Sequence, residues 1–176
     1  MIKTVLYFHG FASSSDSKKA KVFKKYISSL NKRIEVIVPD LNNNFKDAVE
    51  EINQLIKTNQ KPVAFVGSSL GGYYAAYFSS LNKAKAVLIN PATPPLKGFD
   101  IYLGNNTNYS TGEEFTLTKK DIQFLRSISF KSYDNHKNTI VLVESGDEVL
   151  NYIDAYSYFK GSHVEIEFGG NHSYES

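Results

Sequence analysis

Short apolar runs alternate along this chain with longer stretches whose apolar residues fall at helical spacing. Residues 4–9 read as a buried strand, and Ala20, Phe23, Ile27 and Leu30 then mark one face of a helix whose other face is rich in lysine. A second strand over 35–38 is closed by Pro39. Asp47 with Glu50 predicts a capping box ahead of a helix carrying Val49, Ile52, Leu55 and Ile56 on one side. Residues 63–66 read as a third strand, 71–81 as a helix with so little polar surface that it must be buried, and 85–90 as a fourth strand stopped by Asn90-Pro91. Residues 91–117 break the rhythm. Pro, Gly, Asn and Thr predominate there with aromatics between, which predicts a long irregular segment of functional use. A helix over 118–129 capped by Thr118 and Asp121, a strand over 139–144, a helix over 152–159 and a strand over 163–168 complete the pattern.

Strands separated by helical stretches imply an α/β fold, compact, with a mostly parallel sheet of about six strands and helices on both faces. Right-handed crossovers place the carboxyl ends of all strands along one edge, where function gathers in open α/β sheets. His9-Gly10, the loop after residue 66, Asn90-Pro91, Ser145-Gly146-Asp147 and Gly169-Gly170-Asn171-His172 are therefore expected to converge. No repeat or second domain is evident, so residues 1–176 read as one domain without a large cap.

Composition narrows the function classes. A formal charge of +2 with interspersed signs argues against a nucleic-acid surface, and the basic stretch 18–25 reads as the solvated face of a helix. There is no cysteine, hence no disulfide and no thiolate nucleophile, which fits a reducing compartment and a cytoplasmic location. No secretory leader is seen, and no segment reaches the ~18 apolar residues that span a bilayer.

The chemistry centres on Val66-Gly67-Ser68-Ser69-Leu70-Gly71-Gly72, a G-x-S-x-G run between a strand and a helix. In that setting it is a nucleophile elbow, which lifts the Ser69 hydroxyl above the sheet edge. A serine needs a base to attack an acyl carbon, and the base needs a carboxylate to fix its tautomer. Of the four histidines, His136 and His163 precede or begin strands and fall at the wrong edge. His172, behind two glycines, is the expected base, with His9 the competitor at the same edge. Asp147 is the expected carboxylate, with Glu144 the competitor and a turn or helix-capping role the plain alternative. Glu148 is expected to point elsewhere. Ser69, Asp147, His172 is also the chain order of α/β hydrolases. Backbone N–H groups of Phe11 and Leu70 are expected to form the oxyanion hole. His9, Gly10, Tyr73, Asn90, Phe99 and Tyr102 are expected on the substrate side. Tyr73 reads first as packing the sheet-facing helix with its hydroxyl reaching a partner at the rim, His9 can shape its loop, and Phe99 and Tyr102 can equally anchor the long segment. No Walker or G-x-G-x-x-G pattern and no metal-ligand spacing occurs, so neither cofactor nor metal is expected.

These residues resemble a known family. Tyr7-Phe8-His9-Gly10-Phe11 with Ser13-Ser14, the elbow continuing into Gly72-Tyr73-Tyr74, residues 87–91, Tyr102-Leu103-Gly104 with Thr111-Gly112-Glu113, Gly146-Asp147-Glu148-Val149-Leu150 and Gly169-Gly170-Asn171-His172 occur in the order seen in small bacterial α/β-hydrolase esterases of the YqiA/YcfP type (UPF0227-like). The resemblance implies an α/β-hydrolase fold and a cytoplasmic serine esterase, monomeric or homodimeric, acting on small-molecule esters of short or medium acyl chains and on acyl-CoA thioesters. It assigns Ser69, Asp147 and His172 as the triad. A non-catalytic binding protein on the same scaffold, or an acyltransferase, are the alternatives. The chain departs from the pattern twice. Relatives continue past the histidine into a closing helix where only residues 173–176 remain here, and residues 105–109 read Asn-Asn-Thr-Asn-Tyr where relatives place a proline before the tyrosine.

Overall fold

The computed structural model describes residues 2–30, 33–59 and 63–175, so Ser176 of the predicted tail lies outside the described residues. The elements run β1 (Thr4–Phe8), α1 (Lys18–Ser29), β2 (Glu35–Ile37), α2 (Phe45–Thr58), β3 (Val63–Ser68), α3 (Leu70–Asn82), β4 (Ala86–Ile89), β5 (Gly104–Thr107), β6 (Glu114–Leu117), α4 (Lys119–Ser127), β7 (Thr139–Glu144), α5 (Tyr152–Tyr158) and β8 (His163–Glu167). Six strands form one sheet in the order β2-β1-β3-β4-β7-β8, with every pair parallel. The carboxyl ends of β1, β3, β4, β7 and β8 therefore lie along one edge, as the alternation of strands and helices predicts.

Strand side chains alternate between faces, and the two faces are covered unequally. Leu6, Phe8, Phe65, Leu88, Val141 and Val143 bury against Phe45 and Ile52 of α2, Phe78 of α3 and Ala155 of α5. Burying each such large side chain contributes about 1.5–3 kcal/mol. On the other face Val5, Tyr7, Ala64 and Val66 pack under Ala20 and Phe23 of α1. Beyond α1 that face carries no further helix among the described residues, and Ile140 of β7 is 41 % exposed. No helix among the described residues is long and apolar enough to cross a membrane.

Local chemistry explains most element boundaries and corrects two expectations. The Asn44 side chain caps α2 by accepting from the N–H groups of Lys46 and Asp47, so Asp47 lies inside the helix and is not its cap. At α4 the Thr118–Asp121 capping box forms as the pattern predicts. Residues 91–117 are not structureless. They hold a 3₁₀ turn (Phe99–Tyr102) and an antiparallel hairpin of β5 and β6. The strand Gly-Asn-Asn-Thr is too short and polar to carry an alternating signal. Its turn is organised by Asn108, whose side chain accepts from the N–H groups of Ser110 and Thr111 and donates to the Ser13 carbonyl at 3.0 Å and to Asn43 at 3.1 Å.

Candidate active site

Ser69 stands between β3 and α3 with φ 57° and ψ −122°. A non-glycine residue there is strained, at a cost of about 1–3 kcal/mol, and persists only where its surroundings over-determine it. They do so here. The Ser69 N–H donates to the Ile89 carbonyl at 3.1 Å, and its own carbonyl accepts from Ala92 at 3.0 Å and Tyr73 at 3.2 Å. Gly71 lets α3 begin directly behind β1, since a methyl at that position would run into the carbonyl groups of Phe8 and His9. Gly10 lies against the nucleophile itself: a Cβ there would stand 3.4 Å from the Ser69 Cβ.

The loops after β7 and β8 bind one another. Gly146 N–H donates to the Gly169 carbonyl at 2.7 Å, and Gly169 N–H to the Ser145 hydroxyl at 3.0 Å. This contact brings His172 Nδ1 to 2.7 Å from Asp147 Oδ2. The Asp147 side chain is 2 % exposed and that of His172 20 %. Asp147 Oδ1 accepts from the N–H groups of Val149 at 2.8 Å and Leu150 at 2.7 Å. Burial pushes the Asp147 carboxyl up, but the bond from His172 and those from Leu150 and Val149 outweigh it and hold the group below its usual value. An ionised carboxylate only accepts hydrogen bonds. Nδ1 therefore carries a ring proton, and in the neutral ring the lone pair lies on Nε2.

Three further groups set the histidine loop. Glu148 accepts from the His172 N–H at 3.0 Å, so it points at this loop and not elsewhere as expected. Buried Glu144 accepts from the Asn171 N–H, so the competitor carboxylate braces the loop while Asp147 meets the imidazole. Asn90 follows β4 at φ 40° and donates to the carbonyls of Asn171 at 3.1 Å and His172 at 3.3 Å, while accepting from the Glu144 N–H at 2.9 Å. Because Ser69 is bonded to the preceding residue, Ile89, Asn90 connects the elbow with the histidine loop. Among the described residues no hydrogen bond joins the Ser69 hydroxyl to the His172 ring. Such bonds are often long in free hydrolases and tighten when substrate binds.

His9 does not compete as a base. Its Nδ1–H donates to the Gly10 carbonyl at 2.9 Å, and Nε2 accepts from the Leu41 N–H at 3.1 Å. Burial lowers its pKa and keeps the ring neutral, so it shapes the loop that carries Phe11. His136 faces Ser162 and His163 pairs with Glu165, both away from the elbow.

A cavity of about 350 Å³ opens beside Ser69. Phe11, Leu70, Phe99, Ile101, Tyr102 and Leu150 supply much of its wall. Phe11 and Tyr102 lie 4.7 Å apart and Phe99 and Tyr102 5.2 Å apart, centroid to centroid. Arg126 of α4 holds the segment behind this wall, donating to the carbonyls of Pro95 and Leu96 and to the carboxylate of Asp100. Of the six residues expected on the substrate side, Phe99 and Tyr102 line this cavity, whereas His9, Gly10, Tyr73 and Asn90 do not. Tyr73 is a packing residue, buried with its hydroxyl donating to the Leu125 carbonyl at 2.7 Å. A larger groove of 610 Å³ along α2 is lined by Asp40, Asp47, Glu50 and Glu51 and lies apart from the elbow. Among the described residues no cluster of His, Asp and Glu is arranged to hold a metal ion.

A mostly parallel six-stranded sheet in the order β2-β1-β3-β4-β7-β8 with helices packed on it is the α/β-hydrolase fold, and solved structures share it. Est1E from Butyrivibrio proteoclasticus superimposes with a TM-score of 0.77 at 14 % identity, covering 99 % of this chain and 81 % of that one. Alpha/beta hydrolase domain-containing protein 10 from mouse gives 0.73 at 15 % identity, over 98 % and 83 % of the two chains. Within that fold the chain belongs to the uncharacterised protein family UPF0227, which it matches over residues 4–176. A UPF0227 protein of Shewanella woodyi is 25 % identical over 153 residues, or 85 % of this chain and 79 % of that one.

Proposed function

We propose that this protein is a serine hydrolase that cleaves carboxylic esters of short or medium acyl groups through an acyl-enzyme. The 2.7 Å contact between His172 Nδ1 and Asp147 Oδ2, behind a strained serine at the elbow, is the observation that carries the reading. Ser69 Oγ attacks the acyl carbon while His172 Nε2 takes its proton. The N–H groups of Phe11 and Leu70 hold the oxyanion, a donor of this kind being worth roughly 3–4 kcal/mol in the transition state. His172 then protonates the departing alkoxide. Water, deprotonated in turn by His172, attacks the acyl-enzyme, releasing the acid and returning the proton to Ser69. Thioesters pass through the same steps, with a thiolate leaving.

The largely apolar cavity suits an uncharged acyl group, and the aromatic wall of Phe11, Phe99 and Tyr102 suits a flat one. A solved form of Est1E contains ferulic acid, which supports including aromatic acids among the substrates to be tried. The test is fluorophosphonate labelling of the wild-type chain and of Ser69→Ala, alongside a panel of p-nitrophenyl esters and acyl thioesters of graded length. Labelling and turnover in the wild type, both absent from the alanine variant at unchanged circular dichroism, are expected. Equal labelling of the two proteins would remove Ser69 as the nucleophile.

A further inference from the structure

The amino end of a helix is an unfavourable place for cations, because the macrodipole is positive there. Yet α1 opens on Lys18 and Lys19 with no acidic residue in its first turn. Both side chains run to the carboxyl-terminal tail. Lys18 Nζ meets Glu175 at 2.7 Å, and Lys19 Nζ donates to the His172 carbonyl at 3.3 Å. Lys19 is half-buried, unlike the solvated lysine that its helix pattern predicts.

We infer that Lys19 is a positioning residue for the hydrolysis proposed above, its ammonium tethering the histidine loop and offsetting the carboxylates gathered around the imidazole. The inference rests on that reading of Ser69 and His172. The groups facing the loop come from every side: Asp147 and Glu148 from the segment after β7, Glu144 from β7, Tyr174 and Glu175 from the tail, and Lys18 and Lys19 from α1. Burial lowers the pKa of Lys19, and Asp147, Glu175 and Glu144 act against that loss. The carboxylates gather negative charge around the loop whose imidazole takes the Ser69 proton. A cation at the His172 carbonyl offsets that charge at the base of the loop.

The test is the pH profile of kcat/KM for a p-nitrophenyl ester, read at the isosbestic wavelength, in the full chain and in Lys19→Met, Lys19→Gln and Lys19→Arg. Met removes charge and tether. Gln keeps a donor for the carbonyl but no charge. Arg keeps both. Met and Gln are expected to move the acid limb upward by about 0.5–1 pH unit, with Arg close to wild type. At neutral pH, kcat in the Met variant is expected to fall by about tenfold, with KM little changed. An acid limb that stays in place in both Met and Gln overturns the inference while leaving the esterase reading intact. So does one that Gln restores fully, since the tether alone would then suffice. If Met prevents folding, as a lost thermal transition would reveal, the comparison of Gln with Arg decides. A wild-type chain that neither turns over ester nor takes fluorophosphonate overturns both readings.

Discussion

Asp147 does two jobs with its two oxygens, and one substitution separates them. Oδ1 holds the turn through Val149 and Leu150, and Oδ2 receives the His172 ring. In Asp147→Asn the amide oxygen can keep the turn while its NH₂ faces the ring. That forces the other tautomer, with the proton on Nε2, which can no longer accept from Ser69. Turnover is expected to fall by roughly a thousand- to ten-thousand-fold, as wrong-tautomer variants of such relays do. The melting temperature should stay within a few degrees of wild type, because the bonds that shape the loop survive. Retention of more than a tenth of the activity would show that Asp147 orients nothing that matters to the reaction. Gly170 supports the same geometry from below, since a methyl there would press into the Glu144 carboxylate.

At the scale of elements, the hairpin of β5 and β6 is tied to the loop after β1 by one buried side chain. Asn108 joins its turn to Ser13 and Asn43, and the neighbouring Tyr109 N–H donates to the Ala12 carbonyl at 2.8 Å. Asn108→Ala removes the hydrogen bonds that this buried side chain makes to part-buried and exposed groups, each contributing about 0.5–1.5 kcal/mol net. The expected outcome is a loss of about 2 kcal/mol in urea unfolding, with faster amide exchange over residues 104–117 while the central strands stay protected. Unchanged exchange would mean that the hairpin is held by its aromatic contacts. This element was also the least legible in the sequence. β1, β3, β4 and β7 announce themselves by apolar runs, β8 by alternation of Val164 and Ile166 with polar residues, and α4 by its Thr118–Asp121 cap. The hairpin is closed by side-chain bonds to residues far along the chain, and composition alone does not reveal those. The Asn44 cap of α2 was missed for a different reason: Asp47 and Glu50 make the same local pattern one turn later.

For the whole molecule, what the sequence made legible was the edge at which residues would meet. Ser69, Asp147 and His172 each follow a strand of the parallel sheet, as does the loop carrying Phe11, and the G-x-S-x-G elbow singles out the serine. What it did not show was which polar groups are sacrificed to hold that edge together. His9 is the clearest case, because its hydrogen bonds need a neutral ring: Nδ1–H to Gly10, and Nε2 accepting from Leu41. Burial lowers its pKa from the ordinary 6.5, against smaller opposing effects from the Gly10 hydrogen bond and Asp40. Below pH 6.5 the unfolded chain therefore takes up a proton at this residue that the folded chain refuses. Unfolding is favoured wherever the unfolded state binds more protons. The contribution of His9 is thus complete above 6.5 and is lost as pH falls from there to the depressed folded value. Asp147, whose carboxyl is also held low, gives a separate decline that begins only below its ordinary 3.8. Urea midpoints across pH should accordingly fall in two steps. In His9→Gln the absolute stability drops, because one residue cannot replace both ring contacts, but the upper step disappears and the lower one stays. If the upper step survives the substitution, the acid sensitivity in that range belongs to another histidine, and the neutral ring of His9 is not what couples this loop to folding.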